Sequence, residues 1–340
     1  MTPAALDGAR DVLAAAGVDG PFDVVRLTGG SNNRVFRVDG PAGRVLLKLY
    51  FDDPSRNRAR AEFDFLQFAW EAGARRVPRP LACDPGQRLG VYEFVEGRPY
   101  VPGDVSQADV DAALELVLVI NRHRREPDAD ALPVASDACV RGLDYLSSVE
   151  RRLERLTAMP VTSAVHDEAS AFVASEMLPA WRLVRQALLD GASAAGWDLE
   201  RPLTGADRCL SPSDFGFHNA LATPEGVRFL DFEYAGWDDP AKLVCDFFGH
   251  FEVPVPPAAF EVFAGAVAAL FDTPAHVRAR MDLVLPACRF KWCCISLNDF
   301  LPAVSARRSF ADVGEADGSR GVTQLRKARA ALAALTNTVH

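Results

Sequence analysis

Apolar periodicity changes once along this chain, near residue 100, and no other feature restricts the fold as much. Before that point the sequence reads as short β-rich runs, "FDVVRL" (22–27), "RVFRV" (34–38), "RVLLKLY" (44–50) and "LGVYEFVEG" (89–97). The first three, separated by "TGGSNN" and the hairpin signal "DGPAG", predict an antiparallel meander. Two helical patterns interrupt the runs, at 4–16, stopped by Gly17, and at 55–73, where Ala61, Phe65, Phe68 and Ala69 share a face and Gly73 ends the run. Pro78 and Pro80 read as a break before the last run. After residue 100, helical patterns fill 105–124, 138–158, 165–195, 240–250, 256–271, 275–298 and 319–335, and only 203–237 reverts to loops and short strands. The 340 residues exceed the roughly 250–300 at which one core stops growing. The expected fold is therefore α+β with two lobes, a small antiparallel-sheet N-lobe over 1–97 and a larger, mainly helical C-lobe over 98–340, with a cleft between them.

Charge and cysteine usage narrow the partners. A net charge of -9 argues against nucleic acid and anionic membrane, which need a basic surface. No uncharged apolar run approaches the ~20 residues of a membrane helix. Asp7, Arg10 and Asp11 interrupt the N-terminal stretch where a signal peptide needs an apolar core. Seven cysteines without a CxxC pair suggest neither a disulfide framework nor a zinc site, so a reducing, cytoplasmic setting is expected. Only four of the 37 basic residues are Lys, which singles out each one.

Several of these positions fit one chemistry. In "LTGGSNNRVF" (27–36), main-chain N–H groups around Ser31 and Asn32 can approach an anion closely, as in phosphate loops, although the same residues also make an ordinary hairpin turn. Lys48 lies on the next strand between Leu47 and Leu49, and alternation sends it to the face opposite theirs. It is either a solvated edge residue or a point charge for a phosphate pair, with Glu62 on the following helix to hold it. The main chain at the end of "VYEFVEG", around Glu93 and Val95, is placed to meet an adenine edge. In the turn-rich "SPSDFGFHNAL" (211–221), Asp214 can accept a hydroxyl proton, while Asn219 and, after one strand, Asp231 offer hard oxygen ligands to magnesium. Singly, each of the three also reads as a cap or turn residue.

In this order the motifs resemble those of the aminoglycoside phosphotransferase and choline kinase-like family, whose fold is related to the protein kinases. The family pattern of glycine loop, strand Lys, helix Glu, H-G-D-x-x-x-x-N and D-x-[DE] is matched by "LTGGSNNRVF", Lys48, Glu62, "PSDFGFHN" and "DFEYAGWDDPAKLVCDF". The resemblance spans roughly residues 20–250. It implies a protein-kinase-like fold and phosphoryl transfer from ATP with Mg2+ to a small hydroxyl-bearing compound. Asp214 would be the catalytic base, and Asn219 and Asp231 the metal ligands. Ser31, Asn32, Lys48, Glu62, Glu93 and Val95 would bind nucleotide. Pro212-Ser213 stands where the family has His-Gly, which questions the support of the loop. A nucleotide-binding pseudokinase and a peptide Ser/Thr kinase of the same fold remain alternatives.

Three acceptor classes make different demands on the C-lobe. A polycationic aminoglycoside needs carboxylates such as Glu233, Asp238, Asp239 and Asp246, although Asp239-Pro240 also reads as a helix N-cap. Choline or another amino alcohol needs an aromatic cage, for which Tyr234, Trp237 and Trp292 are available. A sugar or amino sugar needs mixed groups such as Arg289, Lys291, Asn298 and Asp299. The acceptor site is expected around Glu233, Trp237 and the helix carrying Trp292.

Overall fold

A computed structural model describes residues 3–27, 33–302 and 318–336. Ser31 and Asn32 of the glycine loop lie outside these. Helix α1 (Pro3–Ala15) precedes strands β1 (Asp23–Leu27), β2 (Arg34–Gly40) and β3 (Gly43–Leu49), then helix α2 (Arg58–Glu71) and strands β4 (Pro80–Asp84) and β5 (Leu89–Glu93). The strands form one antiparallel sheet in the order β1-β2-β3-β5-β4. Alternation gives it two unlike faces. Phe36, Val38, Val45, Leu47 and Val91 pack with Val12 and Leu13 of α1 in one cluster. Tyr50 and Tyr92, on the other side, join Ala59, Phe65, Leu66 and Ala69 of α2 in a core that continues into the helical part.

β4 was not expected. Pro80 can begin it because β4 is the edge strand, where a missing N–H need not be paired, and the register slips between Pro80 and Ala82. Gly90 stands opposite Lys48 in the ladder; a Cβ there would meet the Tyr92 hydroxyl at 2.6 Å, so only Gly fits between the two.

The remainder is mainly helical, as the periodicity predicts. After β6 (Arg98–Pro99) come α3 (Gln107–Arg122), α4 (Pro127–Asp130), α5 (Gly142–Thr157), α6 (Ala164–Phe172) and α7 (Leu178–Ala194). α6 and α7 are one continuous run broken by a π turn at Val173–Met177. Pro179 explains it, since proline cannot donate to the carbonyl one turn back and a wider turn relieves the clash. Four short strands follow, β7 (Cys209–Ser211), β8 (Ala220–Thr223), β9 (Gly226–Phe229) and β10 (Gly236–Asp238). β7 pairs with β10, and β6 joins β8 and β9. Then come α8 (Pro240–Gly249), α9 (Phe260–Ala268), α10 (Pro274–Ser296) and α11 (Gly318–Thr336). α8 is buried over nearly its whole length, with α10 packed along it. No described helix is long and apolar enough to cross a membrane.

One buried side chain fixes where the 211–221 loop begins. Asn121, fully buried on α3, accepts from Leu210 N (2.8 Å) and donates to Leu210 O (2.9 Å) and Val117 O (2.9 Å). It thereby holds β7 as a strand would. Asn121→Ala leaves both main-chain groups of Leu210 unpaired at roughly 1–3 kcal/mol each, so stability should fall by about 2–6 kcal/mol. Thermal and urea unfolding check this, and an unchanged midpoint would exclude the clamp.

Candidate active site

Strand alternation brings Lys48 to the α2 side of the sheet. There its Nζ donates to Glu62 Oε2 (2.7 Å) and to Asp231 Oδ1 (2.5 Å). Lys48 and Glu62 side chains are only 8% and 5% exposed, so each charge requires the other. Burial works against the Lys48 ammonium, but the charges of Asp231, Glu62 and Glu233 outweigh it and hold the lysine protonated. Glu62 is fully used, since its Oε2 also accepts from Tyr50 (2.7 Å) and its Oε1 from Phe232 N (3.2 Å). Burial, then the charge of Asp231, pushes the Glu62 carboxyl up against the pull of Lys48.

The segment after β9 enters this cluster from the far side. Asp231 sits at φ 67°, left-handed backbone that costs a non-glycine residue about 1–2 kcal/mol. Glu233, fully buried, accepts from Asn33 Nδ2 (2.7 Å) and Arg58 Nη1 (3.1 Å). Burial and the charge of Asp231 push it up to about 7. Arg56 donates to three carbonyls, those of Glu233 (3.1 Å), Val134 (2.7 Å) and Ala235 (2.6 Å). The start of α2 is thus tied to the segment that carries Asp231.

Oxygen atoms of Glu62, Asp231 and Glu233 lie within 4.8 Å of one another. All three are engaged: Glu62 by Lys48 and Tyr50, Glu233 by Asn33 and Arg58, and Asp231 by Lys48 alone. Asp231 is the open member, its side chain 32% exposed. Asn219 is tied to its neighbour, since Leu230 N donates to Asn219 O (2.8 Å). A carboxylate and an amide oxygen at a partly open position suit magnesium, which keeps several waters and takes few protein ligands.

Asp214 follows from β7. Its side chain is 36% exposed and opens into a pocket of about 440 Å³. Asn219 Nδ2 donates to Asp214 O (3.0 Å) and more weakly to Oδ2 (3.3 Å), while His218 Nε2 donates to Oδ1 (3.2 Å). Burial raises the Asp214 carboxyl, but the His218 charge and hydrogen bond outweigh it and hold the group well below the usual carboxylate range. Ser213, where the family has Gly, adopts φ 69°, the conformation glycine takes without cost. Loop support missing with the family His comes instead from Ser211 Oγ, which accepts from Ser213 N (3.0 Å), and from Asn121 behind it.

The adenine-edge positions are less engaged with this cluster. Glu93 N donates to Arg79 O (2.8 Å), and the Glu93 carboxylate accepts from Arg79 N (3.0 Å) and Arg228 Nη2 (2.7 Å). Val95 lies just past β5, half-buried.

The pocket beside Asp214 departs from the expected acceptor site. Trp292, Tyr234, Asp246, Lys291, Asn298 and Asp299 line it, but Glu233, Trp237, Asp238, Asp239 and Arg289 do not. Glu233 is spent on Asn33 and Arg58. Trp237 is held in β10 with its Nε1 on Ala129 O (3.0 Å), and Asp238 is buried against Cys139 N and Lys242. Asp239 caps α8 through Ala241 N (2.9 Å), as Asp-Pro predicts. The sequence reading missed His218 and His250, whose rings stack 3.6 Å apart at 5°, with Trp292 meeting His250 edge-on at 4.4 Å. His218 lies between Asp214 and Asn219, and that position was its only signal.

Comparison with known proteins decides the family. The model of the phosphotransferase enzyme family matches residues 23–282. The chain belongs to this family. It is a phosphotransferase acting on hydroxyl groups, and its fold is the expected kinase-like one. Spectinomycin phosphotransferase, solved with ADP and spectinomycin, is similar at TM-score 0.60 and 10% identity, over 96% of this chain and 98% of that one. Choline kinase from Cryptosporidium parvum is similar at 0.55 and 11%, over 98% and 97%. A choline/ethanolamine kinase family protein from Mesorhizobium loti is similar at 0.52 and 21%, over 95% and 99%. No curated protein sequence matches the chain.

In this phosphotransferase Asp137, on the pocket wall, is lowered to about 2: burial raises it, but the Arg152 and Lys291 charges outweigh that. Its folded value is depressed, so its stabilising contribution exists above the unfolded value of about 3.9 and is lost as pH falls through about 2. Asp137→Asn should therefore lower the melting temperature at neutral pH, and the deficit should close between about pH 4 and pH 2. Melting curves across that range test it, and a pH-independent deficit would show that charge is not the cause.

Proposed function

We propose that the chain is an ATP- and Mg2+-dependent O-phosphotransferase of a small hydroxyl compound, such as a sugar, amino sugar, aminoglycoside or amino alcohol. The observation that carries this reading is the buried Lys48 ammonium bonded to both Glu62 and Asp231, with Asp214 opening on a pocket of small-molecule size. A peptide acceptor would call for a broad groove. The ADP held by the spectinomycin enzyme of the same fold supports a nucleotide donor.

In this reading residues 1–97 form the nucleotide lobe and residues 98–340 carry the catalytic loop, metal ligands and acceptor pocket. Ser31 and Asn32 are assigned to the nucleotide by the glycine-loop motif alone, while Lys48 leaves Asp231 for the phosphate oxygens and Glu62 keeps Lys48 in place. The main chain just past Glu93, at Val95, meets the adenine edge, since the Glu93 N–H is spent on Arg79 O. Asn219 and Asp231 would hold magnesium, which when bound would offset the charge on the phosphate oxygens. Asp214 accepts a hydrogen bond from the acceptor hydroxyl and orients it. The hydroxyl oxygen forms a bond to the γ-phosphorus while the bond from that phosphorus to the β–γ bridging oxygen breaks. ADP leaves with the electron pair, and the hydroxyl proton passes to Asp214. A strongly acidic Asp214 suits a loose transition state in which the proton moves late.

The roles of the three polar residues separate by experiment. Asp214→Asn keeps shape but removes the proton acceptor, so turnover should fall by about 10² to 10⁴ with Mg-nucleotide affinity unchanged. Asp231→Asn should weaken nucleotide binding only when magnesium is present, and Asn219→Ala should do so more mildly. Calorimetric titration with a non-hydrolysable ATP analogue, with and without magnesium, beside initial rates reads both. Equal losses of binding in the Asp214 and Asp231 variants would reverse the assignment, and nucleotide binding without transfer to any hydroxyl compound would leave a pseudokinase.

A further inference from the structure

We propose that the pocket beside Asp214 takes an uncharged, polyhydroxylated acceptor, a sugar or polyol, and discriminates against amines and quaternary ammonium compounds. This rests on the phosphotransferase reading above and names the substrate class of the same site.

The first ground is charge. A cationic acceptor needs unpaired carboxylates, and the wall does not offer them. Asp246 receives two hydrogen bonds of 2.6 Å from Lys291 and lies 3.0 Å from Lys242. Both lysines are buried, Lys291 7% and Lys242 3% exposed, and Lys242 also bonds Asp238 at 3.0 Å. Asp137 pairs with Arg152 (2.7 Å) and Asp299 with Arg320 (2.8 Å), while Glu252 faces Lys327 at 3.6 Å. Asp214 is committed to the acceptor hydroxyl and to His218. A bound ammonium at Asp246 would have to draw that carboxylate away from two buried lysines that themselves line the pocket. Breaking such a buried pair is unfavourable, because the abandoned charge keeps its desolvation cost.

Aromatic rings supply the second ground. A quaternary ammonium is held over open π faces. The Lys291 ammonium already lies 5.2 Å from the centre of the Trp292 ring, and His250 meets that ring edge-on. A second cation there would meet like charge. What the wall leaves for a ligand is neutral: Ser136, Ser213, Asn298, Gln324 and the apolar ring surface of Trp292 and Phe251. Gln324 Oε1 is buried with no hydrogen-bond partner among the described residues, an acceptor that a ligand hydroxyl can satisfy. Hydroxyls both donate and accept, and the ring carbons of a sugar present C–H groups to aromatic faces, so a polyol uses both kinds of surface.

The test is phosphate transfer from radiolabelled ATP to glucose, ribose, inositol and sorbitol, set against glucosamine, ethanolamine, choline and kanamycin. Transfer to at least one uncharged compound is expected, with kcat/KM about tenfold or more above that for the cationic members, a difference of roughly 1.4 kcal/mol. Transfer confined to the amines and choline, or equal use of both sets, would overturn the inference and leave phosphotransfer standing, whereas nucleotide binding with no transfer to any member of either set would overturn the inference and leave a pseudokinase. Absence of Mg-nucleotide binding in the same preparation would bring down both. Lys291→Met leaves Asp246 one cation short and should shift the ratio toward amines by about tenfold. Arg152→Met should do the same through Asp137, and it serves if the Lys291 variant does not fold. An unshifted ratio in the folded variants also overturns the inference.

Discussion

The structure turns on one ammonium group. Lys48 is buried, so its charge must be answered at short range, and the two carboxylates that answer it come from α2 and from the segment after β9. That single requirement fixes the sheet, the helix and the acidic segment relative to one another. Tyr50, hydrogen-bonded to Glu62 and joined to Tyr92 through hydroxyls 2.8 Å apart, removes further freedom from the glutamate. Gly90 leaves room for this arrangement by having no side chain beside Lys48.

Arginines do for the main chain what Lys48 does for the side chains. Arg56 and Arg58 flank the start of α2 and grip the 233–235 segment from the same direction, one through carbonyls and one through Glu233 and the Tyr234 hydroxyl. Planar guanidinium groups suit this, because several donors point in fixed directions. The constraint helps to explain why Asp231 tolerates φ 67°: neighbours on both sides are pinned, so the strained backbone has nowhere to relax. Ser213 is held in the same way, with Ser211 before it and the Phe215 N–H closing on its carbonyl at 2.7 Å. Strain at both ends of the candidate site is what a rigid scaffold must hold if Asp214 and Asp231 are to face one substrate from two loops.

Around the pocket, charge is plentiful but mostly spent internally. Asp238, Lys242, Asp246 and Lys291 alternate in sign from the end of β10 through α8 to α10 and cement their packing. Such a chain of buried ions is no guarantee of stability, since each was desolvated to form it. Its effect on the site is clearer: acidic residues that in sequence look like a cation-binding cluster are neutralised before any ligand arrives.

The sequence by itself determined what depends on neighbours a few residues away. Periodicity placed the strands and helices. Alternation set Lys48 opposite Leu47 and Leu49, Asp239-Pro240 marked the start of α8, and the five-residue spacing of Asp214 and Asn219 kept them on one loop. It misread what depends on position in the sheet, such as Pro80, which breaks a central strand but begins an edge strand. Only the tertiary structure decided that Asp231 reaches Lys48 across 183 residues of chain, that Glu233 turns to Arg58 and Asn33, that His250 stacks on His218, and that Lys291 neutralises Asp246. The physical reason is that secondary structure follows from local sterics and main-chain hydrogen bonding, whereas a buried charge finds its partner only where folding removes water. Which carboxylates stay open for a ligand is therefore fixed by the packing of α8, α10 and the β9–β10 segment, and no local pattern encodes it.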